Sequence, residues 1–284
     1  MHIPNLRTKQ VGIKLFRALF LQTNTQNMKP PRFSAMRSIF ALMLREMGST
    51  YGDSPGGYVW AVVQPVGMIA LLSLGFSLLF RAPSLGTSFV LFYATGFLTF
   101  DLYGQMANKV GSSLRYSRPM LAYPRVSWLD AIIARFLLNA LTLSVVFCVV
   151  ITGILSVIET RTVIDIQPIL LGLGMCALIG LGVGMTNCLL AGLFPVWGVI
   201  WKIVSRPMFL ASGVIFIYED MPTGVQDILW WNPILHATGL VRTGFYPNYY
   251  ASYVSLEYGY GLALVLILVG LLFLQPYHAK ILSR

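Results

Sequence analysis

Charge is what this chain has least of. Only 11% of its 284 residues are charged and 56% are hydrophobic, where an ordinary soluble domain carries roughly 25% charged residues. That shortage excludes a fold whose surface is mostly wetted. Acidic residues are the rarer sign, ten against twenty Lys and Arg. Cysteines number three, and Cys148, Cys176 and Cys188 fall in apolar stretches without CxxC spacing. They read as small buried hydrophobes and not as a disulfide framework. His2, His236 and His278 lie far apart, so no metal site is suggested. The chain has no GxxxxGK[ST] phosphate loop, no HExxH and no GxSxG, nor paired His and carboxylates within its apolar runs. It lacks the parts of a catalyst. Any energy-driven task must draw on another subunit or on an ion gradient.

Long apolar runs are abundant. A spanning helix needs about 20 apolar residues, and residues 61–80, 89–106, 131–158, 168–193, 204–218 and 260–275 supply six candidates. The fifth is short, with Lys202 and Arg206 at its start, and the third is long enough to require tilt or an extended end. The expected fold is all-α and membrane-integral: six transmembrane helices, an N-terminal amphipathic interfacial helix, and short re-entrant or periplasmic helices before the last span. The matching organisation is an arm over residues 1–32, the amphipathic helix and elbow over 33–60, a transmembrane domain over 61–276 that includes a lid at 219–258, and a tail over 277–284. Residues 1–22 carry four basic residues and no long apolar core, so they do not read as a cleaved signal peptide.

Basic residues are retained on the cytoplasmic side. With the N-terminus inside, 17 of the 20 Lys and Arg fall on inner segments. Only Arg81, Arg161 and Arg242 fall outside, together with Glu159, Asp165, Glu219, Asp220, Asp227 and Glu257. Both termini are therefore expected in the cytoplasm of a multi-pass inner-membrane protein. The net charge of +10 records topology and anionic headgroups, and nucleic acid is not an expected partner.

Residues 33–47 set Phe33, Met36, Ile39, Phe40, Met43 and Leu44 against Arg32, Arg37 and Arg45, the spacing of a basic amphipathic helix. It serves either as a membrane anchor or as a docking lever. The loop after the second span mixes Lys109, Arg115, Arg118 and Arg125 with Tyr116, Tyr123 and Trp128, which suits an interfacial belt or a partner-binding surface equally. Residues 219–258 are too apolar for a free loop and too broken by Pro222, Pro233 and Pro247 for two crossings. Irregular backbone at membrane depth survives only under protein or beside a water-filled cavity, so a lid over an outer mouth is expected.

Asp101 is an acidic residue well inside a predicted span, where charge is expensive. It is either functional or solvated near the inner interface beside Gln105 and Lys109. Gly172, Gly174, Gly180, Gly182 and Gly184 line the fourth span and serve either internal packing or a dimer face. Tyr93, Phe97, Phe100 and Tyr103 share one helical face, as a packing seam or as a ladder for sugar rings.

Two stretches carry a family resemblance. Leu44-Arg45-Glu46-Met47 with Tyr51, Ser54, Gly57, Tyr58, Trp60 and Gln64-Pro65 resembles the N-terminal motif of ABC-2 type permeases that export polysaccharides. Trp231-Asn232-Pro233-Ile234-Leu235-His236, then Arg242 and Gly244-Phe245-Tyr246, is similar to the region before the last helix in that family, nearest its capsule-exporting branch. Thr50 and Gly56 depart from the usual pattern at the elbow. The resemblance implies a homodimeric permease that moves a lipid-linked polysaccharide and pairs with two copies of a separate ATPase subunit. ATP and Mg would be held by that partner and no cofactor by this chain, and an outer-membrane or periplasmic conduit is a further expected partner. It also implies roles: Arg37, Arg45, Glu46, Arg115, Arg118 and Arg125 toward the ATPase; Trp230, Trp231, Asn232, Pro233, His236, Arg242 and Tyr246 in the outer gate; and Tyr93, Phe97, Phe100, Asp101 and Tyr103 along the pathway. Competing readings are export of O-antigen, teichoic acid or another substrate by the same fold, a proton-coupled carrier using Asp101, and a membrane enzyme of lipid or glycan assembly. The last would need clustered catalytic side chains that the sequence does not offer.

Overall fold

The computed structural model describes residues 34–51, 57–121, 126–158 and 163–283, and among them every regular element is helical. The chain divides into two compact units, Met1–Arg37 and Ser38–Arg284. Of the first, the opening turn of one helix is described, and the packing below belongs to the second. The α-helices in chain order are α1 (Ser34–Tyr51), α2 (Val59–Ser77), α3 (Phe89–Gly111), α4 (Ser113–Leu121), α5 (Trp128–Val157), α6 (Ile166–Leu193), α7 (Trp197–Ala211), α8 (Thr223–Leu229), α9 (Pro233–Phe245) and α10 (Leu256–Ser283), with a 3-10 turn at Tyr218–Asp220 between α7 and α8. The arm, elbow residues 52–56 and Arg125 lie outside the described residues.

Local chemistry sets several helix starts. Ser127 and Asp130 form a reciprocal capping box at the head of α5: the Ser127 hydroxyl accepts from the Leu129 N–H at 3.2 Å, and the Ser127 N–H donates to Asp130 Oδ2 at 3.0 Å. Asp165 caps α6 by accepting from the Gln167 N–H at 3.1 Å. Asn232 caps α9, where Pro233 occupies the first turn and gives up no needed donor. α7 ends at Ala211 and the chain reverses at Gly213, whose φ of +69° suits a residue without Cβ.

Among the described residues, four helices are long and apolar enough to cross a membrane: α2, α5, α6 and α10. They fall on the first, third, fourth and sixth expected spans. Large apolar side chains such as Leu71, Leu141, Val145, Leu268 and Leu272 stay exposed on them, a surface suited to hydrocarbon and costly in water. α3 occupies the place of the second expected span and α7 that of the fifth. α7 begins and ends seven residues earlier than the apolar run suggested, so that Lys202 and Arg206 lie within the helix and not at its start. The turn at Gly213 stops it before Tyr218.

α6 is the hub, packed against α3, α9 and α10. Its glycines set the separation. A Cβ at Gly180 would lie 2.7 Å from Met106 Cβ of α3, one at Gly184 2.6 Å from Val110 Cβ, one at Gly182 2.6 Å from Leu266 Cβ of α10, and one at Gly172 2.8 Å from the Ala237 carbonyl of α9. The small-residue stripe therefore serves packing within one chain. Backbone meets backbone along it, giving dispersion contacts that larger residues would prevent.

Gly180→Val is expected to push α3 off α6 and cost about 1–3 kcal/mol, the usual penalty of overpacking. The readout is a lower thermal midpoint of the purified protein in detergent. Gly75→Ala, whose added Cβ meets open space, serves as the control and should leave the midpoint near wild type. An unchanged midpoint for Gly180→Val would show that the stripe does not set the helix spacing.

Candidate functional site

The helices gather their basic residues at one end, formed by α1, the end of α3, α4, the start of α5 and the end of α10. There Glu46 of α1 meets Arg135 of α5 at 2.9 Å, both side chains buried. The guanidinium does more than pair. Its Nη1 donates to the Lys109 carbonyl at 2.8 Å and to Ser112 Oγ at 2.7 Å, at the corner between α3 and α4. It also lies 4.1 Å from the Tyr116 ring centroid on α4, whose ring Arg45 approaches at 5.6 Å. One cation thus ties four helices. A buried ion pair is stable only when such extra hydrogen bonds replace the lost water.

Among the expected contact residues, Glu46 and Arg45 join this node directly. Arg115 and Arg118 project as exposed cations from α4, three residues apart on one face. Arg37 is exposed in the first turn of α1. Leu42 faces inward, while Phe40, Leu44 and Met47 line the exposed side of α1, an apolar stripe suited to lying in a membrane surface. Arg135 was not singled out by sequence reasoning, and Tyr116 was read only as one aromatic of the basic loop, not as the ring beneath a buried cation. The signal for Arg135 was present: it is a charge inside an apolar run, and such a charge requires a partner.

The opposite end is built by residues 212–258. Arg242 of α9 is buried. It donates from Nη1 to the Phe216 carbonyl at 2.9 Å and from Nη2 to the Val214 carbonyl at 3.1 Å, and rests 4.1 Å from the Phe92 ring centroid of α3. Gly96 makes room for it: a Cβ there would stand 2.9 Å from Nη2. Burial pulls the arginine pKa down from its usual value, and the two carbonyls supply the polar partners that offset desolvation. Tyr246, one helical turn on, has its phenol pushed up to about 12 by burial.

His236 is fully buried in an aromatic cage of Trp230, Tyr253 and Tyr258, with ring centroids 5.3 to 5.7 Å away. Its Nδ1 accepts from the Ser255 N–H at 3.1 Å, which places the remaining proton on Nε2, 2.7 Å from the Trp230 carbonyl. Burial lowers its pKa, with the Trp230 carbonyl opposing. Around it, the Trp230 indole donates to the Tyr253 carbonyl at 3.2 Å and the Tyr258 hydroxyl to the Trp231 carbonyl at 2.7 Å. The Asn232 amide donates to Ser212 Oγ at 3.2 Å. Trp231 itself stays 68% exposed. All seven expected gate residues therefore lie in one short assembly, which Arg242 and Asn232 tie to the turn after α7.

Of the expected pathway residues, Tyr93, Phe97 and Tyr103 are buried within this single chain. Tyr93 packs on Phe76 and Phe97 on Phe209. Phe100 and Asp101 are partly exposed, and Gln105 hydrogen-bonds to the Asp101 carboxylate. No cluster of His, Cys, Asp and Glu fit to hold a metal occurs among the described residues.

The ABC-2 type transporter profile matches residues 37–246, from the first turn of α1 through α9. The chain belongs to the ABC-2 type transporter family. Curated relatives include the polysialic acid transport protein KpsM of Escherichia coli, 25% identical over 82% of this chain and 91% of its own length. The capsule polysaccharide export inner-membrane protein BexB of Haemophilus influenzae is 26% identical over 85% and 91%, and CtrC of Neisseria meningitidis, of the same description, is 27% identical over 83% and 89%. The part that matches the ABC-2 profile holds both the Glu46–Arg135 node and the Arg242 assembly.

Two outcomes follow from this geometry. Glu46→Gln or Arg135→Met alone strands a buried charge and is expected to cost about 3–5 kcal/mol, while the double variant recovers at least ~1 kcal/mol in a thermal double-mutant cycle. Strictly additive losses would mean that the two residues do not act together. For His236 the folded pKa lies below the unfolded value of about 6.5, so its contribution is complete above that pH. It is lost as acidification passes through the lower folded pKa. Tryptophan fluorescence should report loosening of the Trp230 cage below about pH 6.5, and His236→Gln should flatten that dependence; an unchanged acid profile would remove His236 as its source.

Proposed function

We propose that this chain is the membrane-spanning permease subunit of an ATP-driven exporter that carries a lipid-linked polysaccharide, of capsular type, across the bacterial inner membrane. The single observation that carries this reading is membership of the ABC-2 type family with near full-length similarity to three capsule and polysialic acid transport proteins. In this reading α3 and α7 complete a set of six spans, both termini are cytoplasmic, and the α8–α9 segment is a re-entrant lid on the periplasmic side. The gathering of Arg45, Lys109, Arg115, Arg118, Arg135 and Lys280 at one end supports that orientation.

ATP and Mg belong to a separate ATPase subunit, present in two copies. That subunit docks on Arg45, Arg115 and Arg118, with Arg125 on the same loop and the buried Glu46 behind them, passing the contact on through Arg135. Force applied to α1 or α4 reaches α3 and α5 through Arg135, since one guanidinium holds all of them. Two copies of this chain enclose the pathway. The reading is supported by α7, which has no buried residue and offers Val199, Ile203 and Leu210 outward, a face for a second copy. The pathway runs past Phe100 and Asp101, with Tyr93, Phe97 and Tyr103 behind them as wall residues, to the gate formed by Trp230, Trp231, Asn232, Pro233, His236, Arg242 and Tyr246. A periplasmic or outer-membrane conduit would receive the polymer there.

The test is export of polymer in vesicles that hold this chain with or without its ATPase subunit. Export that requires both proteins and ATP is expected. Export driven by a proton gradient with this chain alone would overturn the reading and move attention to Asp101.

A further inference from the structure

A cavity of about 190 Å³ opens between α2, α3 and α5 near the basic end. Its wall is unlike the rest of the spanning surface. Trp60 and Gln64 stand one turn apart on α2, Gln105 and Lys109 one turn apart on α3, and Asn139 and Thr142 one turn apart on α5. Three helices that are otherwise apolar at these depths each aim a neighbouring pair at the same space. A polar side chain inside a membrane is costly unless it meets a partner or a wet cavity, so this convergence calls for an occupant.

The hydrogen-bonding capacity left over defines that occupant. The Asn139 amide donates to the Arg135 carbonyl at 2.7 Å and the Thr142 hydroxyl to the Leu138 carbonyl at 2.8 Å, which leaves the Asn139 carbonyl and the Thr142 lone pairs as acceptors. Gln64 adds both donors and an acceptor. Lys109 brings a charge, and among the described residues its ammonium has no carboxylate at ion-pair distance. Trp60 supplies a flat apolar face. Amides and a hydroxyl for ring hydroxyls, an indole for a ring face and one ammonium for an anion are together the complement of an acidic saccharide unit. The volume lies below the ~300–1,000 Å³ of sites for drug-sized ligands, so it admits one ring at a time.

We propose that this pocket is an intake subsite that holds one anionic saccharide unit of the exported polymer, with Lys109 pairing its negative charge. The proposal rests on the export reading. The anion is either a carboxylate within the polymer or a phosphate at its lipid-linked end, and the same ammonium serves both. The pocket also connects to the coupling node, because two of its lining residues bond to Arg135: the Lys109 carbonyl accepts from the Arg135 guanidinium and the Asn139 amide donates to the Arg135 carbonyl. An occupied pocket therefore bears on the guanidinium that joins α1 to α3, α4 and α5.

The experiment uses the full chain with its ATPase subunit in nanodiscs, titrated by ligand-observed saturation-transfer NMR with glucuronic acid, glucose 1-phosphate and glucose. Binding of an acidic probe at least fivefold tighter than glucose, lost in Lys109→Met and retained in Lys109→Arg, is expected. Preference for glucuronic acid assigns acidic residues of the polymer, and preference for glucose 1-phosphate assigns the phosphate end. Equal binding of all three, or no change in Lys109→Met, overturns the subsite. Thermal midpoints check that each variant is folded, and Gln64→Ala with Asn139→Ala offers a second route that leaves the charge in place and should also weaken binding. ATP-driven export measured in parallel separates the two readings. Undiminished export by a non-binding Lys109→Met sinks the subsite alone, whereas absence of ATP-driven export in wild type sinks the permease reading.

Discussion

The buried contact between Glu46 and Arg135 is the constraint on which the arrangement of the basic end depends. A charge on α5 has been taken out of water and must be repaid in full by fixed partners. It finds a carboxylate on α1, a carbonyl and a hydroxyl at the α3–α4 corner, and an aromatic face on α4. None of these can be moved without exposing a desolvated ion. The amphipathic helix is thus held by its polar side while Phe40, Leu44 and Met47 remain available to lipid. Anchoring and leverage, which periodicity alone leaves as alternatives, would draw on opposite faces of the same helix and so do not exclude each other.

The far end solves a similar problem by different means. Arg242 has two backbone carbonyls where Arg135 has a carboxylate. The carbonyls belong to the turn that ends α7, so the cation fastens α9 to the end of α7 and to α3 together. Around His236, the donor from Ser255 fixes the neutral imidazole and aromatic rings exclude water. Capping by Asn232 and its bond to Ser212 set where α9 begins. Trp230, Asn232, His236 and Arg242 thereby hold a segment that is neither loop nor full span.

Much of this was legible from the chain. Apolar length located the four helices fit to cross a membrane, and the scarcity of charge made each remaining ion informative. Residues read from Trp231-Asn232-Pro233 and Arg242 fall at the head and in the last turn of α9, where Asn232 and Arg242 both bond to the turn after α7. The end of α7 was less legible, because hydropathy carries no record of the Gly213 turn. The role of the α6 glycines was open, since the same small surface can face a neighbour in the same chain or in another. Phe100 and Tyr103 share a face with Tyr93 and Phe97, but the depth at which α6 and Phe209 cover that face depends on tertiary packing that spacing cannot express. Arg135 was visible only as one more inner cation, because its partner lies some ninety residues earlier on a helix judged by its apolar side.

The glycine contacts of α6 have a mechanical consequence. Where backbone lies against backbone, side chains have no slack through which helices could slide, and interdigitated interiors resist continuous deformation. α3, α6, α9 and α10 then form a stator. Movement is left to the helices that touch this block more thinnly, α2, α5 and α7, and of these α5 alone carries the buried cation. A widening that moves α1, α3 and α4 against one another turns on α5 as its crankshaft, with the glycine seam as the fixed bearing.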